Sequence, residues 1–459
     1  MKIRFFIYVV LMLVVGLYGC KKSFLNTLPS TALVVPSTLS DYQQLLDNTA
    51  VMTGTPVLGE VSSDNFYLPS GSWQALDSRE HNAYVWAPDL YEGQGLVDDW
   101  DVPYRQVFYA NVVLEGLSTI AVTTANQQQW QNEQGSALFL RAYAFYNVAQ
   151  LFAPVYDSTT AGSDLGIPLR LHSDVTTPSV RASVAATYEQ ILGDLRLARL
   201  LLPPMVPSQN LNRPSQPAAL AMLARVYLSM RAYELAGRYA DSALQRYKVL
   251  MDYNGLDTLS RFPFSLLNSE TLYQSSVVTY TQCLAAIAYP NTIIDSVLYS
   301  SYGSKDLRRL LFYQLNFSGR PNMKGSYADV VWPFTGLATD ELYLIRAECA
   351  ARAGKTAIAL ADLDTLLLHR YATGSFTPVT AGTAQQALDV ILTERRKELP
   401  FRGLRWSDLR RLNKEGRNIT LQRALDGVTY TLAPNSRLYT LPIPPDVLHF
   451  NPSMSQNVR

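Results

Sequence analysis

The chain has 459 residues and 48% of them are hydrophobic, which is enough to bury one large core or two to three ordinary ones. Its formal net charge of +1 excludes the strongly basic surface that attracts nucleic acids or acidic membranes. Only 17% of the residues are charged whereas tyrosines number 28, so much of the surface must be polar through hydroxyl and amide groups. Such a surface suits contact with neutral ligands.

The N-terminus predicts export. Lys2 and Arg4 precede an apolar run over 5–19 that is too short to span a membrane, so we interpret residues 1–19 as a lipoprotein signal peptide. The run ends at Gly19-Cys20 and resembles a bacterial lipobox, in which the cysteine is diacylated and becomes the first mature residue. Several acyl chains (palmitate among them) on Cys20 would give stable anchoring. The other two cysteines, Cys283 and Cys349, are expected to be buried free thiols.

A lipid-anchored tether, rich in Pro, Ser and Thr, is predicted over 20–40, and the first helix over 41–48. Residues 54–101 then combine aromatic side chains with Gly, Pro, Ser and Asp and show little helical periodicity. This composition predicts a long ordered loop region, the kind of segment in which binding residues concentrate.

Helices are predicted next, from apolar residues at three- and four-residue spacing. They cover 102–117, 127–152, 183–202, 216–230 and 233–250. A weak internal repeat aligns 224–243 with 347–366, with turns at Arg231 and Gly354. Small residues at such helix crossings are typical of tetratricopeptide-like units, although any Ala-rich bundle of helical hairpins could imitate them.

A second aromatic, loop-rich region spans 252–336, where alternating residues predict short strands within 271–280 and 327–332. A helix pair is predicted over 339–371, and a tail with two Pro-containing turns closes the chain from 438 onwards. Aromatic side chains in such loops are hard to explain as core, so we predict that some of them contact ligand. The candidates are Trp73, Trp86, Tyr289, Trp332, Tyr67 and Tyr299.

The stretch 393–413, here called the arginine corner, concentrates basic residues, carboxylates and Trp406. Glu394 and Glu398 are i,i+4 neighbours on a predicted helix, so they could act as an acid–base pair in glycoside hydrolysis. They could instead form ion pairs, and we favour this because arginines hold carboxylates ionised, which does not suit a general acid. The expected ion-pair partners are Arg395, Arg396, Arg402 and Arg405.

Local signals predict the shape of this corner. Thr383 and Gln386 form a capping-box start for the first helix, and Pro400 ends it. Gly403 allows a sharp turn, and Ser407 is expected to cap a second helix over 408–412 that buries Leu409 and Leu412.

No cofactor or metal is expected. The sequence has no Gly-rich nucleotide loop and no G-x-S-x-G elbow, and its four histidines do not have metal-ligand spacing. Asp98, Asp99 and Asp101 could coordinate calcium, but acids at a helix start more often complement its dipole.

Several short motifs occur in a characteristic order. They are 20–25 (CKKSFL), 99–117 (DWDVPYRQVFYANVVLEGL), 137–154 (ALFLRAYAFYNVAQLFAP), 166–169 (GIPL), 340–354 (DELYLIRAECAARAG), 394–411 and the ending 442–457. Together they resemble the SusD/RagB family of outer-membrane nutrient-binding lipoproteins over essentially the whole mature chain. The chain departs from the usual pattern at Pro400 and Arg402, and Lys21-Lys22 replaces the acids that often follow the lipidated cysteine for surface export.

The resemblance implies a mainly α fold: a tetratricopeptide-like superhelix with a loop-rich subdomain that contains short strands. Residues 41–459 would form one SusD-like domain, with its scaffold at about 41–53, 102–251 and 337–413 and its binding subdomain at about 54–101 and 252–336. Such a protein is anchored to the outer membrane of a Gram-negative bacterium and faces the cell exterior. It has no enzymatic activity.

The resemblance also implies a partner, a SusC-like TonB-dependent transporter, over which the protein closes as a lid after it has bound an oligosaccharide. Three alternatives stay open from the sequence: binding of peptides, a secreted glycosidase that uses Glu394 and Glu398, and a pure scaffold for the transporter.

Overall fold

The computed structural model describes residues 36–285, 289 and 291–459. Cys20, the signal peptide over 1–19 and most of the tether over 20–40 lie outside the described residues, so these features stay predictions. Within the described part of the chain, no helix combines the length and the apolar character needed to cross a bilayer.

Helices dominate the fold, which confirms the predicted mainly α class. The shorter helices of the N-terminal part are α1 (Leu39–Leu46), α2 (Thr49–Met52), α3 (Leu58–Val61), α4 (Ser70–Gln74) and α5 (Ser78–Tyr84). The long helices that follow are α6 (Asp98–Leu117), α7 (Gln127–Phe152), α8 (Val184–Leu201), α9 (Gln216–Ser229) and α10 (Tyr233–Arg246). The remaining helices are α11 (Ser296–Ser300), α12 (Arg308–Phe312), α13 (Thr339–Arg352), α14 (Thr356–Leu368), α15 (Ala384–Glu398), α16 (Arg405–Lys414) and α17 (Pro445–Phe450).

The strands are short. They are β1 (Gly54–Thr55), β2 (Phe66–Tyr67), β3 (Leu165–Pro168), β4 (Arg181–Ser183), β5 (Thr271–Tyr273), β6 (Ser276–Val277), β7 (Ile293–Ile294), β8 (Tyr313–Leu315), β9 (Pro321–Met323), β10 (Leu337–Ala338), β11 (Leu421–Leu425) and β12 (Val428–Leu432). The largest sheet has the order β2-β7-β9-β8, and the other strands form pairs. Two strand pairs join 54–101 to 252–336: β1 pairs with β6, and β2 pairs with β7.

The long helices stack one after another, each packed on the next from α6 through α10, and α10 then packs on α13. Helix α13 contacts both α14 and α15. Most buried apolar side chains of these helices belong to one large core, and a smaller aromatic cluster forms around Tyr253, Phe264 and Phe334. This succession of packed helices is the arrangement that the spacing of apolar residues predicts.

The internal repeat is confirmed in the geometry of two turns. Arg231 and Gly354, which are equivalent in the alignment, both adopt a left-handed conformation, with φ of 61° and 75°. In each turn the N–H of the following residue donates to the carbonyl five positions earlier in the chain. The Ala232 N–H donates to the Tyr227 carbonyl, and the Lys355 N–H to the Ala350 carbonyl, both at 2.9 Å. This is the 6→1 hydrogen bond of a Schellman helix end, and it lets each pair of antiparallel helices pack closely.

Two predicted helix starts are wrong by a few residues. Helix α1 begins at Leu39 because Thr38 and Asp41 form a capping box, with the Asp41 N–H donating to Thr38 Oγ1 at 3.2 Å. Helix α6 begins at Asp98 and contains Pro103 as its sixth residue.

The strand predicted within 327–332 is wrong, whereas that within 271–280 is confirmed by β5 and β6. Residues around Asp329 form a turn instead: Asp329 has a φ of 55°, and the Ser326 N–H donates to the Val330 carbonyl at 2.7 Å. A short alternation of apolar and polar residues does not distinguish such a turn from a strand.

The arginine corner has the predicted turn but a different second helix. Thr383 caps helix α15, as its side chain accepts from the Gln386 N–H, but the predicted capping box is incomplete because the Gln386 side chain accepts from the Gly382 N–H instead. Gly403 has a φ of 68°. Helix α16 already begins at Arg405, so Ser407 lies inside it, and its capping role is wrong. Leu409 and Leu412 are buried, as predicted.

Candidate functional site

Glu394 and Glu398 lie inside an ion-pair network. Arg308 donates to Glu394 at 2.7 Å and to Glu398 at 2.9 Å, and it also pairs with Asp306 at 2.7 Å. Arg370 donates to the other oxygen of Glu398 at 2.7 Å. The side chains of Arg308, Arg370 and Glu398 are fully buried. Both oxygens of Glu398 are therefore held by guanidinium groups.

The partners predicted for these two carboxylates are wrong. Arg395 pairs with Asp408, Arg396 and Arg405 pair with Asp64, and Arg402 pairs with Asp340. The ion-pair interpretation itself fits the structure, because every one of these arginines faces a carboxylate. This geometry supplies no acid–base pair for the hydrolysis of a glycosidic bond.

The two loop-rich regions are held together by buried carboxylates of the first one. Asp99 accepts from the Val57 and Leu58 N–H groups, at 2.6 and 2.9 Å, and from the Tyr280 hydroxyl. Glu80 accepts from the Thr281 hydroxyl and from the Gln282 N–H. Burial raises the pKa of both carboxyls. Asp99, at the start of α6, thus ties both loop-rich regions to this helix.

Cys283 and Cys349 are buried free thiols, as predicted. Burial raises the pKa of the Cys283 thiol well above its usual range, and the nearby Glu80 adds to the shift. A thiol in such surroundings stays protonated and unreactive. Among the described residues, no group of three or more His, Cys, Asp or Glu side chains could hold a metal ion.

Helix α4 carries Trp73 to a point where several aromatic rings meet. The Trp73 ring stacks on His81, with centroids 4.1 Å apart, and lies 5.9 Å from the ring of Tyr430. The Tyr289 hydroxyl donates to the Ser72 carbonyl of the same helix at 3.0 Å. The structure therefore brings two of the predicted ligand-contact residues, Trp73 and Tyr289, to the same short helix.

The hairpin of β11 and β12 completes this surface, and the sequence analysis missed it. Gln74 donates to Asp426 at 2.6 Å, and the Asp426 N–H donates to the Ser70 hydroxyl at 3.1 Å. Asp426 and Gly427 both have positive φ, 50° and 77°, as a type I′ turn requires. The Asp-Gly pair followed by the alternating V-T-Y-T-L is the sequence signal that predicts such a hairpin.

We call this surface the loop face: helix α4, His81, Tyr289, the β11–β12 hairpin and the neighbouring Tyr67 of β2. Tyr67 is 38% exposed, and Tyr289, His81 and Tyr430 are half-buried. Trp73 is only 7% exposed, and its indole N–H donates to the His81 carbonyl, so the ring chiefly supports the others. The exposed groups around it are amides, hydroxyls and the Asp426 carboxylate.

The other predicted ligand residues are not part of the loop face, although Trp86 lies beneath the Arg423 guanidinium of its hairpin, 5.3 Å from the ring centroid. Trp86 is 3% exposed, donates to the Ser62 carbonyl at 2.9 Å and has a φ of 58°, a strained value for a large residue. Half-buried Trp332 packs on the main core. Tyr299 lies beneath the Arg309 guanidinium, 4.7 Å from its ring centroid. Ligand contact at these residues stays a prediction.

Two family models match the chain. A model described as "Starch-binding associating with outer membrane" matches residues 23–228, and one described as "SusD family" matches residues 339–459. Together they cover more than two thirds of the sequence. The chain belongs to the SusD/RagB family. The predicted family is thus confirmed.

Solved structures of the SusD superfamily share this fold. A SusD superfamily protein from Bacteroides fragilis is 19% identical, with a TM-score of 0.74, and the match covers 92% of this chain and 100% of the other. A SusD-like carbohydrate binding protein from Bacteroides vulgatus is 20% identical, with a TM-score of 0.67 and coverages of 91% and 98%. A laminarin binding SusD-like protein is 19% identical, with a TM-score of 0.65 and coverages of 91% and 97%.

At these identities the likeness establishes the SusD fold. No curated protein sequence matches the chain significantly. The family places its members in binding rather than in catalysis, which agrees with the internally neutralised Glu394 and Glu398 of this SusD/RagB protein.

Proposed function

We propose that this SusD/RagB protein binds a neutral oligosaccharide at the loop face and delivers it to a SusC-like TonB-dependent transporter. The observation that carries the proposal is the convergence of Tyr289, Trp73 and Tyr430 on helix α4, within a rim of amide and hydroxyl groups. Aromatic faces contact the apolar faces of sugar rings, while polar groups at the rim bind the hydroxyls.

Glycan ligands are favoured over peptides by two kinds of support. One matched family is described as starch-binding, and two of the structural neighbours are described as carbohydrate binding and laminarin binding. Among its described residues, the loop face exposes the carboxylate of Asp426, whereas its arginine, Arg423, is buried and unsuited to a peptide terminus. We therefore place oligosaccharides first and peptides second.

In this proposal residues 41–459 form one domain, whose helical scaffold presents the loop-rich subdomain of residues 54–101 and 252–336. The protein is anchored through acylated Cys20 to the outer membrane, faces the cell exterior and covers the transporter as a lid. Replacement of Cys20 by serine should release the protein from the membrane fraction. Retention of the Cys20→Ser variant with the membrane in cells that lack the transporter would contradict the anchor.

Calorimetry with a panel of neutral glycans, including starch-type α-glucans and laminarin-type β-glucans, tests the binding. We expect at least one glycan to bind, and the Tyr67→Ala/Tyr289→Ala double variant to bind it roughly 5- to 150-fold more weakly, since each of the two aromatic contacts contributes about 0.5–1.5 kcal/mol. Phe108→Ala is the matched control, because Phe108 on α6 is 38% exposed, the same fraction as Tyr67.

Three outcomes are informative. Absence of binding to every glycan and every peptide tested would overturn the proposal. Binding of peptides but of no glycan would change the proposed ligand class to peptides, and the loop face would remain the proposed site. Unchanged affinity in the double variant, with a normal circular dichroism spectrum, would show that the ligand binds elsewhere.

A further inference from the structure

A cleft of about 370 Å³ lies outside the loop face, between the C-terminal part of α16, the first residues of β3 and β4, and the last residues of the chain. None of the described residues that line it belongs to the loop-rich regions 54–101 and 252–336. Four cationic side chains line it, namely Arg181, Arg410, Lys414 and Arg437, together with the carboxylate of Asp164. A second carboxylate, that of Asp157, lies 3.5 Å from the Lys414 ammonium group. Its volume is within the range of small-molecule sites.

The two buried arginines of this cleft have no carboxylate partner among the described residues. Arg410 is 4% exposed and donates to the carbonyls of Gln150 and Ala153 at the C-terminal end of α7. Its Nε has no hydrogen-bond partner in the described part of the chain. Arg181 donates to three backbone carbonyls, those of Gly166, Leu165 and Ser455.

This arrangement is unusual within the molecule. A second cleft, of about 490 Å³, is lined by Arg396, Arg405 and Arg417, and each of these pairs with an aspartate, either Asp64 or Asp389. Of the other buried arginines in the described part of the chain, Arg423 alone shares this arrangement, since it also donates to backbone carbonyls without an ion pair.

The negative end of the α7 dipole explains part of the position of Arg410, because cations stabilise a helix C-terminus. The dipole does not provide a hydrogen-bond partner for Arg410 Nε. It also does not act on Arg181, whose acceptors belong to β3 and to the C-terminal tail. Burial lowers the pKa of Arg410 to about 10, which still leaves it charged at neutral pH.

We infer that this cleft, here called the cationic cleft, binds an oxyanion group of a small polar ligand, and we assign it to a carboxylated sugar. The carboxylate would be attracted by Arg410, Lys414 and Arg437. The remaining lining, which includes Ser163, Asn435 and Thr440, offers hydroxyl and amide groups for sugar hydroxyls. The protein would thus hold an acidic saccharide at a site separate from the loop face.

Calorimetry on the lipid-free chain with D-glucuronate, D-glucose and sulfate tests the inference. We expect glucuronate to bind, glucose to give no heat because it has the same ring without the charge, and sulfate to compete with glucuronate. Replacing Arg410 would also remove a helix cap, so the test variant is Lys414→Ala/Arg437→Ala, whose side chains lie at the exposed rim. The double variant should bind glucuronate at least tenfold more weakly.

The matched control is Arg320→Ala/Lys355→Ala, which removes one exposed arginine and one exposed lysine that do not line the cleft. Equal binding of glucose and glucuronate, no heat with either anion, or full affinity in the Lys414→Ala/Arg437→Ala variant would each overturn the inference. Binding of sulfate without glucuronate would overturn the assignment to a sugar.

The test of the cationic cleft and the test of neutral-glycan binding at the loop face can fail independently of each other. The Lys414→Ala/Arg437→Ala variant should keep the affinity for neutral glycans, and the Tyr67→Ala/Tyr289→Ala variant should keep the affinity for glucuronate.

Discussion

The arginine corner and the loop face are both rich in chemically capable side chains, but they use them in opposite ways. In the corner, each carboxylate accepts from guanidinium groups of the same molecule, and Glu398 is fully buried. On the loop face, rings such as Tyr67 and Tyr289 keep part of their surface in solvent. The first set of groups is already paired, and the second can still form contacts with a ligand.

The comparison shows why the density of functional groups in a sequence is a poor guide to a site. A carboxylate between two arginines is held ionised, and its lone pairs are occupied. Three predictions test this contrast, in order of decreasing effect.

Glu398→Gln should lower the free energy of unfolding by about 3 kcal/mol or more, because it leaves the buried charges of Arg308 and Arg370 less compensated. Urea unfolding followed by circular dichroism measures the change. Asp389→Asn is the control: Asp389 pairs with Arg417 at the surface, where both side chains are at least 31% exposed, and its loss should cost less than about 0.5 kcal/mol.

An unchanged midpoint in Glu398→Gln would show that the corner does not depend on its ion pairs. A loss of glycan hydrolysis in a stable Glu398→Gln variant would establish an enzyme instead.

Stability should decrease as the pH rises from 5 to 8. Burial raises the pKa of Glu60 from 4.5 to about 7, although it accepts from the Gly403 N–H at 3.1 Å and from Asn65 at 2.8 Å. The folded state therefore binds the Glu60 proton more tightly than the unfolded state, and this stabilisation is lost as the pH rises through about 7.

The loss attributable to Glu60 is about 2 kcal/mol over this interval. Urea unfolding at pH 5, 6, 7 and 8 measures it. Glu60→Gln should flatten the profile by that amount, since glutamine does not titrate and its carbonyl can still accept from Gly403. Parallel profiles for Glu60→Gln and the parent chain would contradict this assignment.

Gly427→Ala should destabilise the chain by about 1 kcal/mol and weaken glycan binding, because its φ of 77° is unfavourable for any residue with a Cβ. Gly71→Ala, on helix α4, is the matched control: a Cβ at either glycine meets no atom within 4 Å, but Gly71 does not have a positive φ. A Gly71→Ala variant that weakens binding as much as Gly427→Ala would show that the hairpin turn is not the cause.

Sequence reasoning predicted the periodic part of the fold well. The bounds of α7 agree with the spacing of its apolar residues, and the turns at Arg231 and Gly354 occupy equivalent positions. These features depend on residues close together in the chain, which is where propensity and periodicity are informative.

Contacts between distant segments were not predictable in the same way. Glu394 lies 86 residues from its partner Arg308, and no local pattern distinguishes that arginine from Arg395. The burial of Trp73 and Trp86 was not predictable from local sequence either, because it depends on tertiary packing. The β11–β12 hairpin is different, because its Asp-Gly turn was readable and was missed.

The β11–β12 hairpin also constrains the order in which parts of the molecule can fold. Arg423 of β11 donates to the carbonyls of Ser63 and Phe66, which were synthesised more than 350 residues earlier. Its guanidinium also lies over the ring of Tyr84, 4.1 Å from the centroid. Closing such a long separation is slow, and it cannot occur until the ribosome has passed residue 423. An incomplete chain should therefore lack the loop face, and capture of a ligand there should report that the whole polypeptide has been made and folded.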